Sequence, residues 1–402
     1  MFNIRKFCED TFRVGVSDRK LQIFEAVYPI KYGMAYNSYL IKDEKVALID
    51  TVDKNCAIQF LENLDGALAG RTLDYLIVQH MEPDHAALIS DVVKKYPNLQ
   101  IICSQKAADM IQQFFASSSN FDYLIVKEGD TISLGKHQLH FVAAPMVHWP
   151  EVIVTYDAYT KTLFSADAFG SFGAINGNIT DEEYEIGEEY INEARRYYTN
   201  IVGKYGPQVQ VLLKKASNLD IQTICPLHGL ILKKNIGLFV EKYDKWSKYE
   251  PEENSVVIAY SSVYGNTENS VEILATKLAE RGIKNIKMYD TSLTHYSYIL
   301  AEMFRASHIV IATTTYNMDV FVTMEHLIHS MIAHNLKNRK YALIENGSWV
   351  PNCGKLVKVS LEKLSGSEFI DEKCITIKSS ICENQLSEME ELADKISSSI
   401  IK

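Results

Sequence analysis

The sequence predicts an α/β chain in two parts: a layered α/β domain, then a doubly wound parallel sheet. Three observations carry that expectation. At 402 residues the chain is too long for one ordinary domain. Its rhythm of strands and helices changes across residues 243–255, where YDKWSKYEPEENS reads as a polar linker. Its 47% hydrophobic and 23% charged residues also supply ample core material. The domains are therefore expected at 1–250 and 254–402.

The elements follow in order. The first part runs as short apolar strands, YNSYLI, KVALID, LDYLIV, QIICS, DYLIVKEG, LHFVAAP, VIVTYD and KTLFSAD, separated by polar turns. Helical patterns come after Asp53 and over 181–202, whose acid-rich start suits a helix N-terminus. The second part opens with a buried strand, VVIAYSS, then a tight polar loop, YGNTENS, then a helix ended by glycine, VEILATKLAERG. IKNIKMYD, HIVIATTTY and KYALIENGSW are further strands, and LSEMEELADKISSSI is a closing helix. That alternation is the pattern of a doubly wound sheet. No internal repeat or low-complexity tract interrupts it.

Composition narrows the function. A formal charge of −10 without a basic stripe argues against a nucleic-acid footprint. The sequence holds no apolar run of about 18 residues, and MFNIRKFCEDTFRV lacks a secretory core, so a cytoplasmic protein is expected. The seven cysteines form no CxxC pair, which excludes a rubredoxin-like or zinc-ribbon module and a disulfide framework. Cys225, beside His228, is expected to be a buried bystander.

The densest chemistry lies in QHMEPDHAALI, residues 79–89. His80, Glu82 and Asp84 alternate on a segment leaving a strand, and His85 follows where the chain turns toward a helix. His148, Asp167 and His228 each occupy a loop after a later strand, where open α/β architectures gather function. Each of these taken alone is as readily a capping or packing residue. Together they amount to four histidines and three carboxylates, too many for one tetrahedral zinc. A two-metal site bridged by a carboxylate fits better. Imidazole and carboxylate without thiolate point to iron or manganese, although ligand type alone leaves zinc open.

In the second part, SSVYGNTE (261–268) matches neither GxGxxG nor GxxxxGK[ST]. Clustered hydroxyls, a glycine and a helix N-terminus nevertheless make a phosphate nest. Ser261, Ser262, Val263, Tyr264, Gly265, Asn266 and Thr267 are its candidates. Two later loops, TTTYNMDVF and ENGSWVPNCG, place an aromatic and backbone amides where a flavin ring would stack. Their candidates are Thr313, Thr314, Thr315, Tyr316 and Asn317, and then Asn346, Gly347, Ser348 and Trp349.

The order H-x-E-x-D-H, then His, Asp and His, resembles the flavodiiron proteins, also called A-type flavoproteins. The resemblance covers essentially the whole chain. It implies a metallo-β-lactamase-like αββα sandwich followed by a flavodoxin-like sheet. Glu82 stands where hydrolytic relatives usually carry histidine, which favours iron. By this resemblance His80, Glu82 and His148 hold one iron, Asp84, His85 and His228 hold the other, and Asp167 bridges. In some members the equivalent of His85 turns away. The phosphate loop matches flavodoxin well and the other two loops match in part, so FMN is the implied cofactor.

The resemblance further implies reduction of O2 to water, of NO to N2O, or both, with no catalytic residue beyond the diiron ligands. It implies a head-to-tail homodimer, or a dimer of dimers, that brings the flavin of one subunit to the irons of its neighbour. With one flavodoxin unit and no rubredoxin or flavin-reductase extension, an external donor is expected: rubredoxin, or reduced coenzyme F420 in a methanogen. Tyr28, Tyr32, Trp149 and Phe172 are candidate pocket walls. Near Phe24 and Glu25 many members carry a histidine that is absent here, which bears on proton delivery. The rival of another class is a dizinc hydrolase with a flavin regulatory domain; Glu82 argues against it. A second rival, a plain electron carrier with a decayed first domain, is opposed by the complete ligand set.

Overall fold

The structure is a computed structural model describing residues 2–115 and 120–401. The chain divides into two compact units. One comprises Met1–Tyr198 with Tyr205–Asp244, and the other Thr199–Lys204 with Lys245–Lys402.

Two sheets make the frame of the first unit. The larger runs Arg5–Cys8, Thr11–Arg13, Tyr39–Lys42, Val46–Ile49, Tyr75–Val78, Gln100–Cys103 and Tyr123–Ile125, in that spatial order. Its last four strands are parallel, so they end on one edge. The smaller orders Thr131–Ser133, Gln138–Ala143, Ile153–Asp157, Thr162–Phe164 and Thr223–Cys225. Tyr39, Ile41, Ile49, Ile77 and Ile102 of the larger sheet share one core with Leu139, Phe141, Ile153, Phe164 and Cys225 of the smaller. Ala47 and Ile49 face that shared core, and Val46 and Leu48 are buried on the sheet's other face, so Val46–Ile49 is buried at every position rather than alternately. Cys225 is part of it, and burial pushes its thiol well above the usual range.

Local structure departs from expectation in three places. The segment after Val78 does not stay extended, because Pro83 at the first helical position starts the turn Pro83–Ala86. Asp84 and His85 therefore sit on a helical turn. The helix expected from 181 begins at Glu188. Its upstream acids are clamps instead: Asp181 accepts the backbone N–H groups of Lys233, Lys234 and Asn235, and Glu183 those of Ile179 and Thr180. The stretch read as a polar linker hides buried Tyr243, Trp246 and Tyr249, and the helix Ile236–Ser247 runs into it.

The second unit is a parallel sheet in the order Ile286–Asp290, Glu253–Tyr260, Ala306–Tyr316, Lys340–Asn346 and Glu368–Phe369. That order is flavodoxin-like, with the switch point between Glu253–Tyr260 and Ala306–Tyr316. Helix Asn266–Glu280 starts directly after the first strand's loop and stops before Gly282, whose φ of 82° suits a helix terminus. The segment 313–321 is a strand end and a hairpin rather than an open loop. Thr315–Tyr316 pair with Asp319–Val320 across Asn317 and Met318, both at positive φ. Among the described residues no helix is long and apolar enough to cross a membrane.

Candidate metal centre

Four strand ends of the first unit deliver the side chains. His80, Glu82, Asp84 and His85 follow Tyr75–Val78, His148 follows Gln138–Ala143, Asp167 follows Thr162–Phe164, and His228 follows Thr223–Cys225. All seven are buried. They gather into His80, Glu82, His148 and Asp167 on one side and Asp84, His85 and His228 on the other, with donor atoms in each group within 4.8 Å of one another.

The two groups meet at Asp167. Its Oδ2 lies 3.4 Å from His80 Nε2 and 3.2 Å from His148 Nε2, while its Oδ1 lies 3.2 Å from His85 Nε2. Glu82 Oε2 lies 3.0 Å from His148 Nε2, and Asp84 Oδ2 lies 3.2 Å from His228 Nε2. The Nε2 atoms of His85 and His228 face each other at 3.0 Å. Among the described residues, the carboxylate oxygens of Asp84 and Asp167 have no hydrogen-bond donor although buried. Buried acceptors without donors are costly, and a cation at the centre relieves that cost. The donor set fits metal.

Ring orientation is held from behind. His80 Nδ1 donates to Glu151 Oε1 at 2.9 Å, and that carboxylate also accepts the Met81 N–H. His228 Nδ1 donates to the Ala35 carbonyl at 2.8 Å. Each bond leaves Nε2 aimed inward, the usual device for orienting imidazole ligands. Asp50 accepts the backbone N–H groups of Gln79 and His80 and so fixes the start of the motif. Burial raises the Asp50 carboxyl to about 6.

Electrostatics agree with geometry. Burial opposes charge on His80, but Asp167, Glu151 and Glu82 outweigh it and push its pKa well above the usual range. His148 is pushed up to about 9, burial again opposing and Asp167 and Glu82 prevailing. Burial alone would raise Asp167, yet the surrounding imidazoles hold it well below the carboxylate range. The pocket demands positive charge at its centre.

Aromatic rings close the remaining directions. Trp149 stands edge-on to His80 at 5.4 Å, and Phe24 and Tyr197 stand by His228 at 5.6 and 5.4 Å. Phe172 packs on Phe24, Tyr28 and Tyr197. Tyr32 departs from its expected place in that wall: its hydroxyl donates to Glu189 at an exposed position. Glu25 sits in a tight turn with Ala26, both at positive φ. Glu151, Asp50 and Ala35 escaped the sequence reading. Glu151 alone carried a signal, as an acid three residues past His148.

In the second unit a cleft of about 410 Å³ opens at the ends of the parallel strands. Of the residues singled out in the sequence, Ser262, Val263, Tyr264, Asn266, Thr267, Thr314, Thr315, Tyr316, Asn317, Asn346, Gly347, Ser348 and Trp349 line it. Ser261 and Thr313 do not; their hydroxyls bond to each other at 2.7 Å beneath it. Gly265, at φ 88°, caps the helix instead of lining the cleft. Met318, Val350 and Ser379 are lining residues the sequence did not suggest. Tyr264 and Trp349 are 91% and 82% exposed, an unusual display of aromatic surface. A flat aromatic ligand with a phosphate for the helix N-terminus fits this cleft.

Known proteins share this architecture. A family model described as ODP family beta lactamase matches residues 34–229. The nitric oxide reductase of Moorella thermoacetica is 30% identical over 368 residues, covering 91% of each chain. The rubredoxin oxygen:oxidoreductase structure from Desulfovibrio gigas superposes with a TM-score of 0.93 at 24% identity, covering 99% of this chain and 98% of that one. The flavodiiron protein of Giardia intestinalis gives 0.93 at 24%, covering 99% and 97%. The two structures speak for the fold, a metallo-β-lactamase-like unit joined to a flavodoxin-like sheet. The Moorella match holds across both units, and with two histidine- and carboxylate-rich clusters behind it the chain belongs to the flavodiiron family of oxidoreductases.

Proposed function

We propose that the protein reduces O2 to water, NO to N2O, or both, at a diiron centre refilled by FMN. The observation that carries this reading is Asp167, whose two oxygens face the two histidine groups separately. His80, Glu82 and His148 would hold one iron and Asp84, His85 and His228 the other, with Asp167 between them. Residues 1–250 form the diiron domain and 254–402 the FMN domain. When bound, two ferrous ions supply electrons to a diatomic substrate and the flavin restores them.

The chain's own residues do the rest. Glu151 and the Ala35 carbonyl hold the His80 and His228 rings with Nε2 inward. Trp149, Phe24, Tyr28 and Phe172 present apolar walls that suit a small uncharged substrate and keep bulk water out. Asn266, Thr267 and the helix N-terminus would hold the flavin phosphate, and Trp349 and Tyr316 offer aromatic surface for its ring. Electrons arrive from a separate donor, with rubredoxin the first choice in view of the name of the Desulfovibrio gigas structure. A head-to-tail dimer brings the flavin of one subunit to the irons of its partner.

Protein purified anaerobically without added metal is expected to carry two irons and one FMN per chain, and to consume O2 or NO with reduced rubredoxin. Two zincs from iron-replete cells, with neither gas consumed, would overturn the proposal in favour of a hydrolase.

A further inference from the structure

Arg13 is 4% exposed and lies in the interior of the first unit. Among the described residues no carboxylate pairs with it, and its Nη2 has no partner. Burial pushes its pKa down to about 10, opposed only by the Tyr39 hydroxyl. An unpaired buried guanidinium is expensive, and large aliphatic residues fill such space at less cost. Its bonds indicate what retains it. Nε donates to Asn37 Oδ1 at 2.7 Å, and Nη1 donates to the Gly15 carbonyl at 3.3 Å.

Asn37 passes the constraint on. Its Nδ2 donates to the carbonyls of Pro226 and Gly229, both at 2.9 Å, and its backbone N–H donates to the Leu227 carbonyl at 2.7 Å. These three bonds bracket His228, whose Nδ1 is held by Ala35, two residues before Asn37. The loop is tied on its other side as well: Leu227 N–H donates to the Ala166 carbonyl, next to Asp167. The amide's orientation is forced. Arginine can only donate and the two carbonyls can only accept, so Oδ1 must face Arg13 and Nδ2 must face the loop. Without Arg13 the Oδ1 is a buried acceptor with no donor, and the amide loses the partner that sets its rotation.

We propose that Arg13 is a positioning residue for the metal centre, acting through Asn37 on the 226–229 loop that carries His228. The inference rests on the reading of His228 as a metal ligand. It places the larger effect on the half of the centre that holds His228, because His80 in the other half takes its support from Glu151.

The test uses the full chain loaded anaerobically with ferrous iron-57. Iron affinity, Mössbauer doublet areas and thermal unfolding are followed for wild type, R13Q, R13K and N37D. In R13Q one of the two irons is expected to bind about 10–100-fold more weakly, the range for lost outer partners of a ligand. At limiting iron the two doublets become unequal. R13K, which still donates to Oδ1, recovers part of the loss. N37D keeps an acceptor for Arg13 and loses both donations to the loop, so it shows the same one-sided loss even if R13Q fails to fold. Two equal doublets at wild-type affinity in N37D overturn the inference. So does parallel loss of both irons with the melting temperature, the mark of a purely structural role. A wild-type chain that takes up no iron sinks the metal-centre reading and this inference with it; normal wild-type loading with unchanged variants sinks the inference alone.

Discussion

Three histidines of the first unit and two of the second are shifted in opposite directions, although burial acts on all of them alike. In the first unit His80, His85 and His148 are pushed up, although burial opposes them, because carboxylates crowd their rings. In the second unit His308 is pushed down to about 4 by burial, with Lys340 adding to the effect, and His334 is also lowered. Desolvation is common to all five, so the partners decide the sign. A protein meets a buried histidine at least expense by leaving it neutral. Surrounding three of them with Asp84, Asp167 and Glu82 makes sense only where positive charge is to be held. The contrast agrees with the grouping of donor atoms around Asp167.

The largest expected effect removes that arrangement at its hinge. Asp167→Asn keeps the shape and deletes the charge between the two groups. Iron content is expected to fall below two per chain, and O2 or NO turnover to drop by more than the ~100-fold typical of outer-partner losses. Full iron and activity in D167N would remove the bridging role and most of the contrast. Next comes Glu151→Gln, which leaves a weaker acceptor for His80 Nδ1 and a group unable to offset charge on the ring. Iron affinity is expected to fall about 10–100-fold with FMN unchanged, read by metal titration and flavin absorbance.

How much of this was legible in the sequence differs by residue. The seven ligand candidates stood out because each polar side chain interrupts an apolar stretch just past a strand, and that position survives folding. The helical turn carrying Asp84 and His85 was visible in principle through Pro83, yet alternation suggested extended chain. Arg13 and Asn37 gave no signal, since their partners lie 24 and about 190 positions away and an arginine in a strand reads as exposed. Buried Tyr243 and Trp246 were masked by lysines and acids on the other faces of the same helix, and Tyr249 by the polar residues that follow it. In the cleft of the second unit, Ser379 joins from a distant segment through Asn346, a contact no local pattern announces.

The cleft of the second unit sets the opposite case to the histidine- and carboxylate-rich centre: open, its aromatics on display, several of its hydroxyls already bonded to protein. Ser262 Oγ, for instance, accepts from the backbone of Gly265 and Glu268. Its hold on a ligand should therefore be spread over stacking and backbone donors, and one substitution should cost less. Trp349→Ala is expected to weaken FMN by about tenfold, within the ~1–3 kcal/mol typical of aromatic stacking on a heterocycle. Iron content should stay unchanged. Equilibrium dialysis of FMN reads the effect, and loss of iron alongside flavin would show that the two centres are not held independently.

The smallest effect tests the second half of the contrast. His308 keeps one ring nitrogen on Ser307 at 2.7 Å, and its Nε2 is buried without a partner among the described residues. Its folded pKa of about 4 lies below the ordinary 6.5, so as pH falls the unfolded chain takes up the proton first. The stability tied to the neutral ring is therefore complete above 6.5 and is lost progressively as pH falls from 6.5 toward 4. Allowing for partial screening, the loss amounts to about 1–2 kcal/mol. His308→Gln, which does not titrate, is expected to flatten that part of the profile, read as melting temperature against pH for apo protein. The two profiles should converge above pH 7. If they stayed parallel throughout, His308 would be titrating alike in both states. A lone buried histidine would then differ from the metal-site set only in degree.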